Sequence, residues 1–221
     1  MSSEKKNIYR TIRLIEGPVG TKKGKIFLEL QRREILYRKY NVYDFQDSLF
    51  GTDLSFKQAY NGENSLALEI ELLSNYFNTL FVKEFNNIFI RSSPMSLIEV
   101  YAKYFVAENK MTIQEFNALK ECYNAFASLS KWETRVKQIY LLISCSNNQI
   151  DNIKKNKKDD GFVTKEFLRN INDRYKKYFD SMKNTPFTDW SLPEIIYTEI
   201  FIDGKSIEEI VDEIESKMVL E

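Results

Sequence analysis

An α/β fold, with a parallel sheet covered by helices on both faces, is what this sequence predicts, and three observations lead there. Short apolar runs such as QIYLLIS at Gln138–Ser144 and NIFI at Asn87–Ile90 recur along the chain and read as buried strands. Longer segments between them carry apolar residues three and four apart, the period of a helix face. Strand and helix patterns alternate from end to end, the order that builds a parallel sheet from βα units.

Taken in order, Arg10–Glu16 is the first strand, with Ile12, Leu14 and Ile15 apolar, and Gly17 and Gly20 make the turn that follows. Lys25–Arg33 reads as a helix and Tyr40–Phe45 as a short second strand. Gln46–Phe56, with Gly51 and Asp53, is loop-like. Ser65–Phe85 is a long helix, since Leu66, Ile70, Leu73, Phe77 and Leu80 share one face. After the strand at Asn87–Ile90 come helices over Ser96–Phe105 and Met111–Leu129. In the second of these, Thr112 is the N-cap and Glu115 completes a capping box. Gln138–Ser144 is the clearest strand. Asn147–Lys155 and Thr164–Met182 are helices on either side of a charged segment. Glu194–Ile202 is the last strand, and Ser206–Met218 the last helix, with a capping box of Ser206 and Glu209.

The chain has 221 residues, enough for one large domain or two small ones, and 43% of them are hydrophobic, enough for a full core. No repeat, heptad array or long linker divides it, so one domain over 1–221 is expected. The 32 basic and 32 acidic side chains cancel, so no net field draws the protein to nucleic acid or to an anionic membrane. There is no His, which excludes His-based triads, metal sites and proton relays. Cys122 and Cys145 are too few for a disulfide framework and suggest a reducing compartment. The N-terminal MSSEKKNIYR lacks the apolar core of a secretory signal, and no apolar run is long enough to span a bilayer. An intracellular protein, cytoplasmic or mitochondrial, is the expectation.

Arg10–Leu30 carries the main functional clue. A strand, a Gly-bearing turn and a helix opening point backbone N–H groups and the positive end of a helix dipole at an anion. The phosphate-cradle pattern is G-x-x-x-x-G-K-[ST]. Counted from Gly17, its lysine falls on Lys23, its second glycine on Lys22 and its Ser/Thr on Gly24. The lysine is kept, and the hydroxyl that would hold Mg²⁺ is lost. A surface-exposed basic turn is the alternative meaning of the same residues.

Five stretches in order make the chain resemble the deoxynucleoside kinase family over nearly its whole length. LIEGPVG at Leu14–Gly20 is similar to the family's I-E-G-x-x-G. IFIRSSPMSLIEVYAKYF at Ile88–Phe105 is similar to its strand ending in Glu-Arg-Ser and the helix after it. MTIQEFNALKECYNAF and IYLLISCS look like its next helix and its i-Y-L strand. KNKKDDGFVTKEFLRNINDRYKKYF at Lys155–Phe179 looks like its lid and the helix that follows. The resemblance implies a three-layer P-loop kinase-like fold with a five-stranded parallel sheet, and a lid at about 154–163.

It also implies roles. Phosphoryl transfer from ATP to a nucleoside 5′-hydroxyl needs positioning and charge neutralisation above all. Gly17, Gly20, Lys23 and Gly24 fall on the ATP cradle. Asp44 is the carboxylate nearest the family's base, one methylene shorter. The Glu-Arg-Ser motif becomes Ile90-Arg91-Ser92, which keeps the phosphate-holding Arg91 and loses the carboxylate. The lid arginines become Lys155 and Lys157, point charges without the bidentate fork. A solvated charge run is the other meaning of Lys154–Lys158. Tyr60 and Asp160 fall near the sugar-binding positions, and Glu69, Tyr76 and Ser96 on the base-reading ones, where ordinary surface polar residues are the alternative. Departures cluster in the site while the core pattern persists. The expected function is therefore a non-catalytic structural or partner-binding subunit, as in the family's accessory subunit of respiratory complex I, in a homodimer or larger assembly. The rival is an active, divergent kinase. ATP is the implied cofactor, and Mg²⁺ lacks its usual hold.

Overall fold

The computed structural model describes residues 10–18, 21–37, 41–43, 58–59, 61–82, 87–130, 136–146, 148, 164–183 and 195–218. Five strands form one sheet: β1 (Arg10–Glu16), β2 (Asn41–Tyr43), β3 (Asn87–Arg91), β4 (Val136–Ser144) and β5 (Ile195–Phe201). The spatial order is β2-β3-β1-β4-β5, and every neighbouring pair is parallel. β1 is thus central, with β3 on one side and β4 on the other. Chain connections diverge there, and the crevice beyond the carboxyl ends of the strands is where such sheets bind ligands.

The helices are α1 (Lys23–Tyr37), α2 (Ser65–Val82), α3 (94–107), α4 (Ile113–Ser130), α5 (Lys165–Lys183) and α6 (Ile207–Met218). α1 begins two residues earlier than expected, directly on the cradle lysine. α3 starts earlier too, because Ser93 caps it and Pro94 opens it. Pro is suited to that position because a first-turn N–H has no helical partner anyway. The middle of α3, Leu97–Ala102, is wound as a π-helix between two α-helical turns. Both expected capping boxes form. The Thr112 N–H donates to Glu115 at 2.7 Å, and the Glu115 N–H donates to the Thr112 hydroxyl at 3.2 Å. Ser206 and Glu209 reciprocate at 2.7 and 3.1 Å.

The core lies on both faces of the sheet. Ile12, Leu14 and Ile15 of β1, Phe89 and Ile90 of β3 and Ile139 and Ile143 of β4 are completely buried. Successive residues of one strand face opposite sides, so burial of both Leu14 and Ile15 requires cover above and below. α2 packs on α4, where Phe77 stacks on Phe126 with centroids 5.4 Å apart. α1 packs on α6, and a half-hidden ionic cluster joins them. The Arg33 guanidinium donates to Glu29 at 2.9 Å, Asp212 at 2.7 Å and Glu215 at 2.6 Å.

The expected loop Gln46–Phe56, the lid at about 154–163 and, apart from residue 148, the helix expected at 147–155 lie outside the described residues. Among the described residues, no helix is long and apolar enough to cross a membrane.

Candidate functional site

The crevice beyond β1 is built from four elements. β1 ends in Glu16 and Gly17, and α1 begins at Lys23. β3 ends in Arg91, and the turn Ser92–Ser93 leads into α3.

Two positions of the expected cradle, Gly17 and Lys22, have positive φ. Gly17 has φ of 150°, and a Cβ there would lie 2.5 Å from the carbonyl oxygen of Ile143 on β4. Lys22, in the place of the pattern's second glycine, has φ of 59°. That left-handed conformation costs an L-residue roughly 1 kcal/mol, so the turn persists against the side chain that occupies it. The Thr21 hydroxyl pins the turn by donating to the Pro18 carbonyl at 2.8 Å.

Lys23 is buried, whereas Lys25 two residues on is exposed. The Lys23 ammonium donates to the carbonyls of Gly17 and, at 3.2 Å, Pro18. It also sits 5.7 Å from the centroid of the Tyr175 ring on α5. Gly24 lies in the first turn of α1, and a Cβ there would meet nothing within 4 Å.

Glu16 is the residue that sequence reasoning missed. It is completely buried directly before the cradle glycine. Its carboxyl accepts from the Tyr175 hydroxyl at 3.3 Å. Burial pushes its pKa above the usual carboxylate range, while Ser93, Lys23 and Ser96 pull the other way. A signal was present: Glu16 is a charged side chain that closes an apolar run directly before a glycine. Tyr175 gave no such signal, because its position on a helix face with Phe179 looks like ordinary packing.

The α2 positions expected to read the base are buried rather than surface polar residues. Glu69 is 2% exposed and Tyr76 1%. Burial alone raises the Glu69 pKa to about 8, and its Oε2 has no hydrogen-bond partner among the described residues. Burial likewise holds the Tyr76 phenol well above its usual range. Ser96 is buried as well, and its hydroxyl donates to the Ser93 carbonyl at 2.9 Å as part of the α3 cap.

Arg91 is half-buried at the end of β3, level with Ile15. Its charge reaches Tyr101 in the π-helical turn, where Glu16 and Glu69 act in the opposite sense. Ile90 is fully buried in the core. Ser92 has φ of 65° and donates its N–H to the Ile15 carbonyl at 3.0 Å, which locks the end of β3 to β1. The structure therefore brings Gly17, Lys23, Gly24, Glu69, Tyr76, Arg91 and Ser96 to the carboxyl side of the sheet. Gly20, Asp44, Tyr60, Lys155, Lys157 and Asp160 lie outside the described residues.

These groups suit an anion. The positive dipole end of α1 and the buried ammonium of Lys23 lie at the same helix start. They do not suit Mg²⁺: Gly24 offers no side-chain oxygen, Ile90 is apolar, and burial raises the pKa of Glu16.

Comparison with known proteins bears on the family and the fold. The family model described as deoxynucleoside kinase matches residues 14–220. The fold is similar to that of a deoxyadenosine kinase from M. mycoides with bound dCTP. That match has a TM-score of 0.67 and 15% identity, and covers 95% of this chain and 100% of the other. The same enzyme with bound dATP gives 0.67 at 16% identity, over 94% and 98% of the two chains. With the products dCMP and a flexible dCDP bound it gives 0.63 at 16% identity, over 95% and 100%. No curated protein sequence matches.

Proposed function

The chain belongs to the deoxynucleoside kinase family, and from that premise we propose that it keeps the family's cradle as a nucleotide-phosphate site, has lost efficient phosphoryl transfer, and serves as a non-catalytic structural or partner-binding subunit. The observation that carries this reading is Ile90, packed at 0% exposure in the core where the family motif has a carboxylate. An apolar side chain there cannot bind a metal, and Gly24 removes the other hold. Transfer depends on neutralising charge on the moving phosphoryl group, so loss of both holds removes most of the acceleration. The free thiols Cys122 and Cys145 agree with an intracellular, cytoplasmic or mitochondrial setting. We take 1–221 as one domain, working as a homodimer or within a larger assembly.

A second reading, an active divergent kinase, is supported by Lys22. A scaffold has no need to hold a lysine at φ of 59°, whereas a phosphate cradle does. In that reading Lys23 and Gly17 hold ATP, with Gly20 and Gly24 beside them. Asp44 takes the hydroxyl proton, and Arg91, Lys155 and Lys157 bear on the phosphoryl group. Tyr60 and Asp160 hold the sugar, and Glu69, Tyr76 and Ser96 line the base.

Calorimetric titration with ATP, with and without Mg²⁺, paired with a transfer assay on the common deoxynucleosides, separates the two. The proposal expects ATP binding that Lys23→Ala removes and Mg²⁺ does not strengthen, with no phosphorylated product. Product formation that disappears in Lys23→Ala overturns it in favour of the kinase.

A further inference from the structure

Resting on the reading of the cradle as an anion site, we propose that Tyr175 is a positioning residue that couples a proton on Glu16 to anion binding at Lys23. One tyrosine touches both groups. Its ring faces the Lys23 ammonium at 5.7 Å and its hydroxyl donates to Glu16 at 3.3 Å. Glu16 is fully enclosed and next in sequence to the glycine whose carbonyl holds Lys23. An ionised Glu16 would compete with an incoming anion for the Lys23 charge and repel it; a protonated one leaves that charge to the anion.

Around Glu16 the groups that face it are Lys23 of α1, Tyr76 of α2, Tyr101 of α3, Tyr140 of β4, and Tyr175 and Tyr178 of α5. Burial holds all five phenols above their ordinary range, so none of them ionises near neutrality. The chain has no His to titrate in their place. Glu69, with a pKa of about 8, is the other carboxyl of the cluster.

The test uses sulfate, whose charge is constant across the neutral range, titrated into the full-length protein at a series of pH values. Every measurement is repeated in a Glu69→Gln background, so that the remaining pH dependence reports Glu16. Affinity is expected to fall by roughly tenfold as the pH rises through the range in which Glu16 gives up its proton. Glu16→Gln flattens that profile. Tyr175→Phe removes the donor that eases ionisation of Glu16, and so moves the fall to higher pH. A profile unchanged in either variant overturns the coupling while leaving the cradle reading intact. Sulfate binding that is absent, or that survives Lys23→Ala, overturns the cradle reading and the coupling with it.

Discussion

The Tyr175 hydroxyl reaches the Glu16 carboxyl across 3.3 Å and so ties the middle of α5 to the last residue of the central strand. Both residues are buried, at 1% and 0% exposure. The contact joins two segments 159 positions apart, and it places a buried polar contact at the carboxyl end of β1. Buried polar groups of this kind are costly unless satisfied, and their presence marks a site.

Stability should fall as the pH rises. Glu69 has a pKa of about 8 in the folded chain and an ordinary value when unfolded. Below the unfolded value both states are protonated. Above it the unfolded state loses its proton first, so stability declines by about 1.4 kcal/mol per pH unit until the folded group ionises. Glu16, shifted in the same direction, adds to the trend. Urea unfolding of Glu69→Gln between about pH 5 and pH 8 should show a shallower decline than the parent. An equal decline would mean that Glu69 is ionised in the fold.

Gly17→Ala should be strongly destabilising. Its Cβ would lie 2.5 Å from a backbone carbonyl of β4, at a φ that side chains rarely adopt. Backbone oxygen cannot rotate away, so a loss on the order of 2 kcal/mol or more is expected, together with loss of ATP binding. Thermal denaturation and the ATP titration report the two effects separately.

Two changes in the same turn should do the opposite. Lys22→Gly relieves a left-handed lysine and should stabilise by about 1 kcal/mol. Gly24→Ser places a side chain in open space on the first turn of α1 and should add roughly 0.5 kcal/mol through helix propensity. Gly24→Ser also restores a hydroxyl, so Mg²⁺ should strengthen its ATP binding while leaving the parent's unchanged. A Tm below the parent's in Lys22→Gly would show that the lysine side chain contributes more than its backbone costs.

Arg33→Ala should loosen the last helix from the first. Three carboxylates converge on this guanidinium, and without it they repel one another. A loss of roughly 1–3 kcal/mol is expected. Hydrogen bonds from Arg32 and Arg33 hold the Glu29 pKa at about 2. In the parent, this stability is fully present above the ordinary carboxylate pKa and is lost as the pH falls from there through about 2. Arg33→Ala should therefore show a shallower acid limb, read by denaturation between about pH 5 and pH 2.

The fold was legible in the sequence because its signals are local. Buried parallel strands are short apolar runs, and Thr112–Glu115 and Ser206–Glu209 mark helix starts within four residues. Element ends were less legible. α1 gained its first turn because the cradle positions Lys23, and α3 gained Pro94 because Ser93 caps it. The π-turn at Leu97–Ala102 has no sequence mark.

Within the site, the sequence by itself determined which residue types stand at each motif position by count: Lys23 where the pattern has its lysine, Gly24 where it has Ser/Thr. Position in a motif depends only on counting along the chain. Tertiary structure alone decided what those groups experience. Burial turned Glu69 from a plausible surface residue into a carboxyl that holds its proton near neutrality. Packing of α5 across the sheet placed Tyr175 between Glu16 and Lys23. Charge and hydrogen bonding depend on which groups lie within a few ångströms, and for these residues the neighbours come from strands and helices far apart in the chain.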